Sequence, residues 1–462
     1  MKANYDIVVI GSGLGGLTAA NRLARSGHNV LLAEQHSQLG GVAAFFKRKS
    51  HVFDVSLHGF PIAMKKSLRK YWGKEFADRI IQVKRIRFDN PQFKLETTFD
   101  KEDFCRHLCE TFGLSTESVA SFFDTLAGMN YYDDRSQTTA ELFEEFFPGR
   151  SDVWRLLMEP ITYANGSTLQ EPAISYGIVF GNFMNKGVYT FQGGTDTLIR
   201  MMTDQLRERG VDIATNARVE RIMTDRGKVS AVLVNGREIA TRAVVSNANL
   251  PGTVFGLLGE DRVPAEYAAG LKTVRLSNSS AQVYMGVTPG ATIPHIGDLL
   301  FVSSHPEFDA GAICSMDVTS RTYSIYYPEI RPGSQQYTIV ASMNANYQDW
   351  SDLADAEYRA AKKNLIENSL DALEPFLPGI RAKIDYVEAA TPRTFERYTL
   401  HRQGASFGSK FEGLQYSMQL HEQVPGLFHT GSTGIIMSGW LGSANYGVIT
   451  ANEVDKYMEE RR

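Results

Sequence analysis

The 462-residue chain carries 43% hydrophobic and 22% charged residues and a formal net charge of −4. That balance is ordinary for a globular protein with a core and a solvated surface, and it gives no electrostatic reason to expect nucleic acid as a partner. The length allows two or three domains of about 100–200 residues each, and three cysteines, Cys105, Cys109 and Cys314, are too few for a disulfide framework. The N-terminus has one lysine and then a strand pattern, without the apolar stretch of a signal peptide. No run of about 18 apolar residues is present to span a bilayer. The expectation is a cytoplasmic protein, with peripheral membrane contact left open.

Residues 7–10 are a short apolar run, long enough for a buried strand and too short for a helix. Gly11, Gly13 and Gly16 follow at G-x-G-x-x-G spacing, and Leu17, Ala20, Leu23 and Ala24 then recur at helical spacing up to Gly27. Residues 29–33 predict a second buried strand, with Glu34 at its end, 18 residues after Gly16. This order has a chemical logic. A diphosphate is favoured at a helix N-terminus, where free N–H groups and the helix dipole attract anions. Gly11 permits the tight turn, Gly13 the backbone approach to phosphate, and Gly16 the close packing of helix on strand. Glu34 stands where a carboxylate accepts hydrogen bonds from an adenosine ribose. The stretch reads as a dinucleotide-binding unit.

After Gly40-Gly41 come two short strands, over 42–47 and 51–55, around a polar turn at 48–50. From 60 to 182, charged and aromatic residues mix at helical periods, which predicts a mostly helical insertion. Within it Lys65, Lys66 and Lys70 read as a solvated helix face. Cys105 and Cys109 share a helix face from which His107 points away, so they read as core thiols and no metal site is expected. Tyr176, Phe180, Phe183, Met184 and Tyr189 suit either the lining of an apolar tunnel or ordinary core packing.

Around 188–194 a strand runs into Gly193-Gly194 and a helix that turns Leu198, Met201, Met202 and Leu206 inward. Segments at 211–214, 218–224, 228–234, 237–240 and 243–246, with turns at Gly227 and Asn235-Gly236, predict a β-meander. Residues 255–420 are richer in strands, at 280–287, 324–327 and 337–341, and carry a long helix over 355–374. Arg393, Glu396, Arg397, Tyr398, His401 and Arg402 form a dense polar cluster that suits either a substrate's polar end or a solvated surface. A last strand at 426–431 and a closing helix over 439–458 complete the chain.

Glycine-rich strand–helix junctions near 11, 193 and 431, with foreign segments between them, resemble the FAD-binding oxidoreductases of the glutathione-reductase-like clan. Within it the chain most resembles the phytoene desaturase, carotenoid isomerase and retinol saturase group. The resemblance rests on Gly40-Gly41 with residues 53–58, on residues 192–195 leading into Leu198, and on residues 244–248. Thr391-Pro392, residues 404–408, residues 427–431 and the glycine-rich stretch 439–447 complete it.

The implied fold is α/β. An interrupted Rossmann-like FAD-binding domain takes residues 1–59, 187–254 and 421–462, and a mixed α+β substrate domain takes 60–186 and 255–420. The resemblance places Gly11, Ser12, Gly13, Leu14, Gly15 and Gly16 around the FAD diphosphate, Glu34 on the ribose and Gln35 beside it. Gly40, Gly41 and Val42 would pass close to the cofactor, Val219 would meet adenine through its backbone, and Asn247 would add a further contact. Gly431 and Ser432 would approach the ribityl or diphosphate. Ser438, Gly439, Trp440 and Leu441 would lie near the isoalloxazine, giving N–H groups to a ring that gains negative charge on reduction. His58, expected near the flavin face, Arg393 and His401 are the candidate catalytic residues.

Many clan members carry an arginine just after the double glycine. Here Val42-Ala43 follow it, which weakens an amine oxidase reading. Ser56 stands where the group usually has glycine. Ser432 stands where an acidic or amide residue is usual. The implied activity is desaturation, saturation or isomerisation at C–C bonds of an apolar, conjugated substrate, with an external electron acceptor or donor. The alternatives are a flavin-dependent oxidase of amine or amino-acid-derived substrates and a flavin-bearing escort protein without turnover.

Overall fold

The first apolar run forms the strand Asn4–Ile10, followed by the helix Leu14–Arg25 and the strand Val30–Ala33. The computed structural model describes residues 1–56, 59–130, 136–331, 336–434 and 436–461, so His58 lies outside the described residues. Ile7, Val8 and Val9 are wholly buried, because Asn4–Ile10 is flanked in parallel on both edges, by Val30–Ala33 and by Arg237–Ser246. Parallel neighbours need long crossovers, and here the crossover from the first strand is the helix that the glycines start. The sheet has seven strands. Its order is Asp212–Ala214, Val30–Ala33, Asn4–Ile10, Arg237–Ser246, Lys228–Val234, Val219–Asp225, with Leu427–His429 also against Arg237–Ser246. The meander segments expected at 237–240 and 243–246 are one strand. Its first half pairs with Lys228–Val234 and its second half with Leu427–His429.

A second seven-stranded sheet runs Ile384–Ala390, Ser279–Val287, Thr338–Ala345, Ser320–Tyr326, Leu299–Ser303, Ile86–Asp89, Lys94–Thr97. One face, with Val283, Met285, Ile325 and Ile339, packs on the helix Asp355–Leu373. Toward its Ile86–Asp89 edge the other face meets the helices between residues 101 and 184, through Phe88, Phe301, Phe104 and Phe180. Ile86–Asp89 and Lys94–Thr97 come from the stretch expected to be mostly helical. Edge pairing with Leu299–Ser303 draws them into strand. Val188–Phe191 pairs with Phe60–Pro61 and Ile80–Gln82 in a separate small sheet rather than with the nucleotide sheet. Val42 and Ala43, expected to open a strand, belong to the 3-10 turn Gly41–Ala43 that precedes the hairpin Phe45–Arg48/His51–Asp54.

One side-chain expectation is corrected and one open alternative is decided. The helix Lys101–Glu110 buries Phe104, His107 and Leu108. Hence His107 points into the core and donates from Nε2 to the Glu96 carbonyl at 3.0 Å, while both cysteines are only half-buried. Of the aromatic group, Tyr176, Phe180 and Met184 are core residues, Tyr189 packs against the nucleotide-side core, and only Phe183 reaches the cavity described below.

The two sheets are held together by a buried ionic clasp. The Asp54 carboxylate, 2% exposed, accepts from the Thr195 N–H at 2.8 Å and from Arg331 at 2.6 Å, and Arg331 also pairs with Asp196. Removing one partner of such a buried set typically costs about 3–5 kcal/mol, because a charge is left unpaired.

At the far end of the chain, His429 is 2% exposed. Its Nε2 lies 2.8 Å from the Ala248 carbonyl and its Nδ1 2.6 Å from the Ser417 hydroxyl, which in turn meets the Tyr446 hydroxyl. A carbonyl only accepts, so Nε2 carries the proton, Nδ1 accepts from Ser417, and the ring is neutral. Burial pushes the His429 pKa from 6.5 down to about 4.

Two outcomes follow from this packing. A Cβ on Gly16 would stand 2.1 Å from the Gly11 carbonyl oxygen, a backbone atom that cannot swing aside. Gly16→Ala is therefore expected to lower stability by about 1–3 kcal/mol, read as the midpoint of urea unfolding, whereas Gly27→Ala, with open space around it, reports the cost of its positive φ alone. The second outcome concerns pH. A histidine with a depressed folded pKa binds its proton more readily in the unfolded state. Its contribution is complete above pH 6.5 and is lost as pH falls from 6.5 toward about 4. Unfolding at pH 7.5 and pH 5 should differ by roughly 2 kcal/mol from this group, and His429→Gln should remove that difference.

Candidate cofactor and substrate site

Between the two sheets lies a cavity of about 710 Å³. Its first end is built by the turn after Asn4–Ile10. The helix Leu14–Arg25 begins at Gly13, with no side-chain cap and no acidic residue in its first turn, so its leading N–H groups are open to an anion. Gly11, Ser12, Gly13, Leu14 and Gly15 line the cavity there. A Cβ on Gly15 would come within 2.7 Å of the Thr430 carbonyl, and one on Gly41 within 3.0 Å of Gly13 Cα. The backbone is thus closely packed around this end from several sides. Glu34 is 7% exposed. Its Oε2 accepts from the Ser12 N–H (2.9 Å) and hydroxyl (2.6 Å), and its Oε1 from the His36 N–H (2.8 Å). Oε1 keeps acceptor capacity for a further donor, and Glu34 lines the cavity.

A second helix N-terminus enters from the other end of the chain. Gly439–Glu459 starts at Ser438, again with no side-chain cap and no acidic first turn. Ser438 turns its hydroxyl back to the Gly434 carbonyl at 2.6 Å. Ser438, Gly439, Trp440 and Leu441 line the cavity, with Ser432 before them. The Thr18, Thr430 and Trp440 side chains each bury a polar atom without a hydrogen-bond partner in this region.

The sequence-predicted residues are therefore largely gathered. Gln35, Gly40, Gly41, Val42, Val219 and Asn247 also line the cavity, the Asn247 amide lying beside Gly13 and Gly15. Gly16 and Gly431 do not. Gly16 packs on Gly11, and Gly431 packs on Ala248 and His429. Ser56 lines the wall and donates to the Val42 carbonyl at 2.7 Å.

Of the candidate catalytic residues, His401 lines the cavity, with Nδ1 donating to the Ala405 carbonyl at 2.9 Å. Burial lowers its pKa, which keeps the ring neutral. Arg393 does not reach the cavity. The helix Pro392–Thr399 turns Phe395, Tyr398 and Thr399 toward it, and Arg393 falls on another face, 4.4 Å over the Tyr358 ring. Glu396 accepts from the Gln403 N–H and the Tyr347 hydroxyl, so the polar cluster mostly ties down its own loop.

The other half of the cavity is different in chemistry. Ile86, Phe99, Ile161, Phe183, Leu299 and Phe301 wall its far end. Gln282, Thr322 and Ser342, which sequence reading did not single out, form a polar strip on the second sheet. Among the described residues, the charged side chains at the lining are Glu34 and Arg218, both beside the nucleotide sheet. No group of His, Cys, Asp and Glu among the described residues could hold a metal ion.

This arrangement fits FAD on grounds internal to the chain. Two uncapped helix N-termini face one cavity, glycines leave room where a side chain would collide, and the buried indole N–H of Trp440 at the lining has no partner. Comparisons with known proteins agree. The family described as flavin containing amine oxidoreductase matches residues 14–446. The chain is 25% identical to the chloroplastic prolycopene isomerase of Arabidopsis thaliana, covering 97% of this chain and 82% of that protein. It is 24% identical to the all-trans-retinol 13,14-reductase of Danio rerio, covering 98% and 86%. Among solved structures, cyclohexylamine oxidase from Brevibacterium oxydans superposes with a TM-score of 0.69 at 16% identity, over 99% of this chain and 100% of that one. An oxidoreductase from Methanosarcina mazei does so with 0.67 at 16%, over 97% and 99%. These likenesses of shape speak to the fold, an α/β arrangement with a Rossmann-like nucleotide-binding unit. With the family matched over most of its length and the cavity built to suit the cofactor, the chain belongs to the flavin-containing amine oxidoreductase family and is an FAD-dependent enzyme.

Proposed function

We propose that the protein acts on C–C bonds of an apolar, conjugated small molecule of carotenoid or retinoid type, by desaturation, saturation or isomerisation. The observation that carries this reading is the far half of the cavity, walled by Ile86, Phe99, Phe183 and Phe301 without a charged side chain among the described residues. Burying an apolar chain there yields roughly 25 cal/mol per Å², so a polyene needs no ionic anchor. The prolycopene isomerase and retinol reductase among the relatives carry names for substrates of this class. An ammonium substrate would find no carboxylate in that half, which disfavours amine oxidation.

In this reading residues 1–59, 187–254 and 421–462 hold FAD, and residues 60–186 and 255–420 hold the substrate. The N–H groups after Gly13 receive the diphosphate, Glu34 takes the ribose hydroxyls, and the Val219 backbone meets the adenine. The helix start at Ser438 to Leu441 presents its N–H groups to the isoalloxazine. FAD, when bound, supplies hydride transfer. The apolar wall excludes water from the reacting bond, and neutral His401, its proton held on Nδ1, offers Nε2 as an acceptor on the cavity side. Electrons pass to or from an external partner. Leu400 and Ile449, at the lining and 48% and 39% exposed, mark apolar rims through which a substrate enters from a membrane surface. No helix among the described residues is long and apolar enough to cross a membrane.

The purified protein should be yellow and release FAD on heating. In a panel of carotenoids, retinoids, fatty acids and amines, flavin reduction or reoxidation with altered product should occur with the polyenes, and the protein should float with liposomes. Turnover confined to small amines, with no liposome binding, would overturn the proposal.

A further inference from the structure

The apolar description of the cavity holds for only one part of its floor. Across the second sheet the register aligns Gln282 with Ser342, Ser342 with Thr322, Thr322 with Phe301 and Phe301 with Phe88. Gln282, Ser342, Thr322 and Phe301 all line the cavity. Phe88 stacks on Phe301 at 4.6 Å. Along one row of neighbouring strands, each about 4.8 Å from the next, the floor changes from amide and hydroxyl to phenyl. The polar end is deeply placed, with Gln282 3% and Thr322 5% exposed.

Gln282 is also short of partners. Its Oε1 stands against the Tyr284 hydroxyl, and that hydroxyl also lies 3.1 Å from the Val55 carbonyl. A single O–H proton serves one acceptor at a time. Both contacts are satisfied together when the Gln282 N–H₂ donates to Tyr284 and Tyr284 donates to Val55, an amide orientation set by the hydrogen-bond network. Turned this way, the Gln282 carbonyl oxygen takes the amide end away from Tyr284, where no further hydrogen bond is found among the described residues, and Gln282 lines the cavity. An acceptor at the cavity surface favours an occupant that donates to it, since an apolar one would displace water and leave the oxygen unpaired.

We propose that Gln282, with Thr322 two strands along the same polar row, determines specificity by accepting a hydrogen bond from a neutral hydroxyl group on the substrate, whose apolar remainder runs toward Phe301. The inference rests on the reading of the cavity as the substrate chamber and narrows its occupant from apolar polyenes in general to hydroxylated ones. A carboxylate is disfavoured because a bare carbonyl acceptor faces it. An ammonium is disfavoured because the lining there carries no negative charge among the described residues.

The test uses FAD-loaded protein and matched probes. Geranylgeraniol, its methyl ether and the parent hydrocarbon form one set, and a conjugated polyenol of similar length with its ether and hydrocarbon forms another. Dissociation constants are read from perturbation of the flavin absorbance. In the unaltered protein each alcohol should bind about tenfold tighter than its ether or hydrocarbon, the worth of one hydrogen bond to a buried acceptor. Gln282→Leu should bring the difference below about twofold and tighten hydrocarbon binding. Because that change also removes a Tyr284 partner, Thr322→Val, close in shape, provides a second variant and should narrow the preference with flavin content unchanged. Equal affinities within a set, an unchanged preference in both variants, or no binding by any probe would overturn the inference. A conjugated hydrocarbon turned over as fast as its alcohol would also sink it while leaving the proposed function standing. A geranylgeraniol preference that depends on Gln282, with no polyene turned over, would keep the inference and sink the proposed reaction.

Discussion

Everything in this molecule is arranged around backbone approaches that leave no room for a side chain. Gly16 meets Gly11, Gly15 meets the Thr430 carbonyl, and Gly447 meets Gly15, with a Cβ falling within 2.7 Å of a backbone oxygen in each case. An anion held by N–H groups requires bare backbone at the helix start, and that backbone must be braced from behind without bulk. The brace comes from residues 430–447, more than four hundred positions away in the chain. Both long insertions therefore have to leave the nucleotide sheet and return to it. The cavity opens at the carboxyl ends of Asn4–Ile10 and Val30–Ala33, where ligands of open parallel sheets bind.

The second sheet gains its position from a few unlike interactions rather than from one large apolar interface. The hairpin Phe45–Arg48/His51–Asp54 lays Phe53 against Tyr284 and Tyr326. His51, wholly buried, meets Asp385 at 2.6 Å and occupies the space where a side chain at Gly286 would stand. Asp54 at the same hairpin reaches Thr195 and Arg331. One short hairpin thus touches the nucleotide half, the sheet half and the cavity wall through Ser56. Aromatic packing gives it area, and the charged contacts fix its orientation.

The nucleotide half was legible because its chemistry is local. A strand, three spaced glycines, a helix and an acid follow one another within thirty-four residues, and each has a physical reason to be where it is. The substrate half was not. Ser280, Gln282, Ser342 and Asn344 alternate with apolar neighbours in two strands, a pattern that in sequence is indistinguishable from a half-solvated strand. Only the tertiary cover of helices turns that face into a cavity floor. Arg393 misled for a related reason. A dense polar cluster shows no direction until the start of its helix is fixed, and the cap at Thr391 sends Arg393 to the face away from Phe395. His107 was misplaced because the cysteine spacing marks a shared face without saying how far the inward face extends, and the half-buried cysteines pack against the same core. The fold that holds the cofactor was thus written in neighbouring residues, and the surface that meets the substrate in residues brought together only by folding.

The pairing of Arg237–Ser246 with both Asn4–Ile10 and Leu427–His429 also bears on how the protein is born. On the ribosome the first strand emerges long before either of its later neighbours. Its apolar edge toward Arg237–Ser246 stays open until some two hundred and thirty residues have followed. The sheet is finished only when residues 427–429 arrive, which makes for slow closure of distant contacts. An unpaired strand of Ile7, Val8, Val9 and Ile10 is a template for the wrong partner during that interval. A nucleotide site assembled from three widely separated segments is complete only when the last of them has been made.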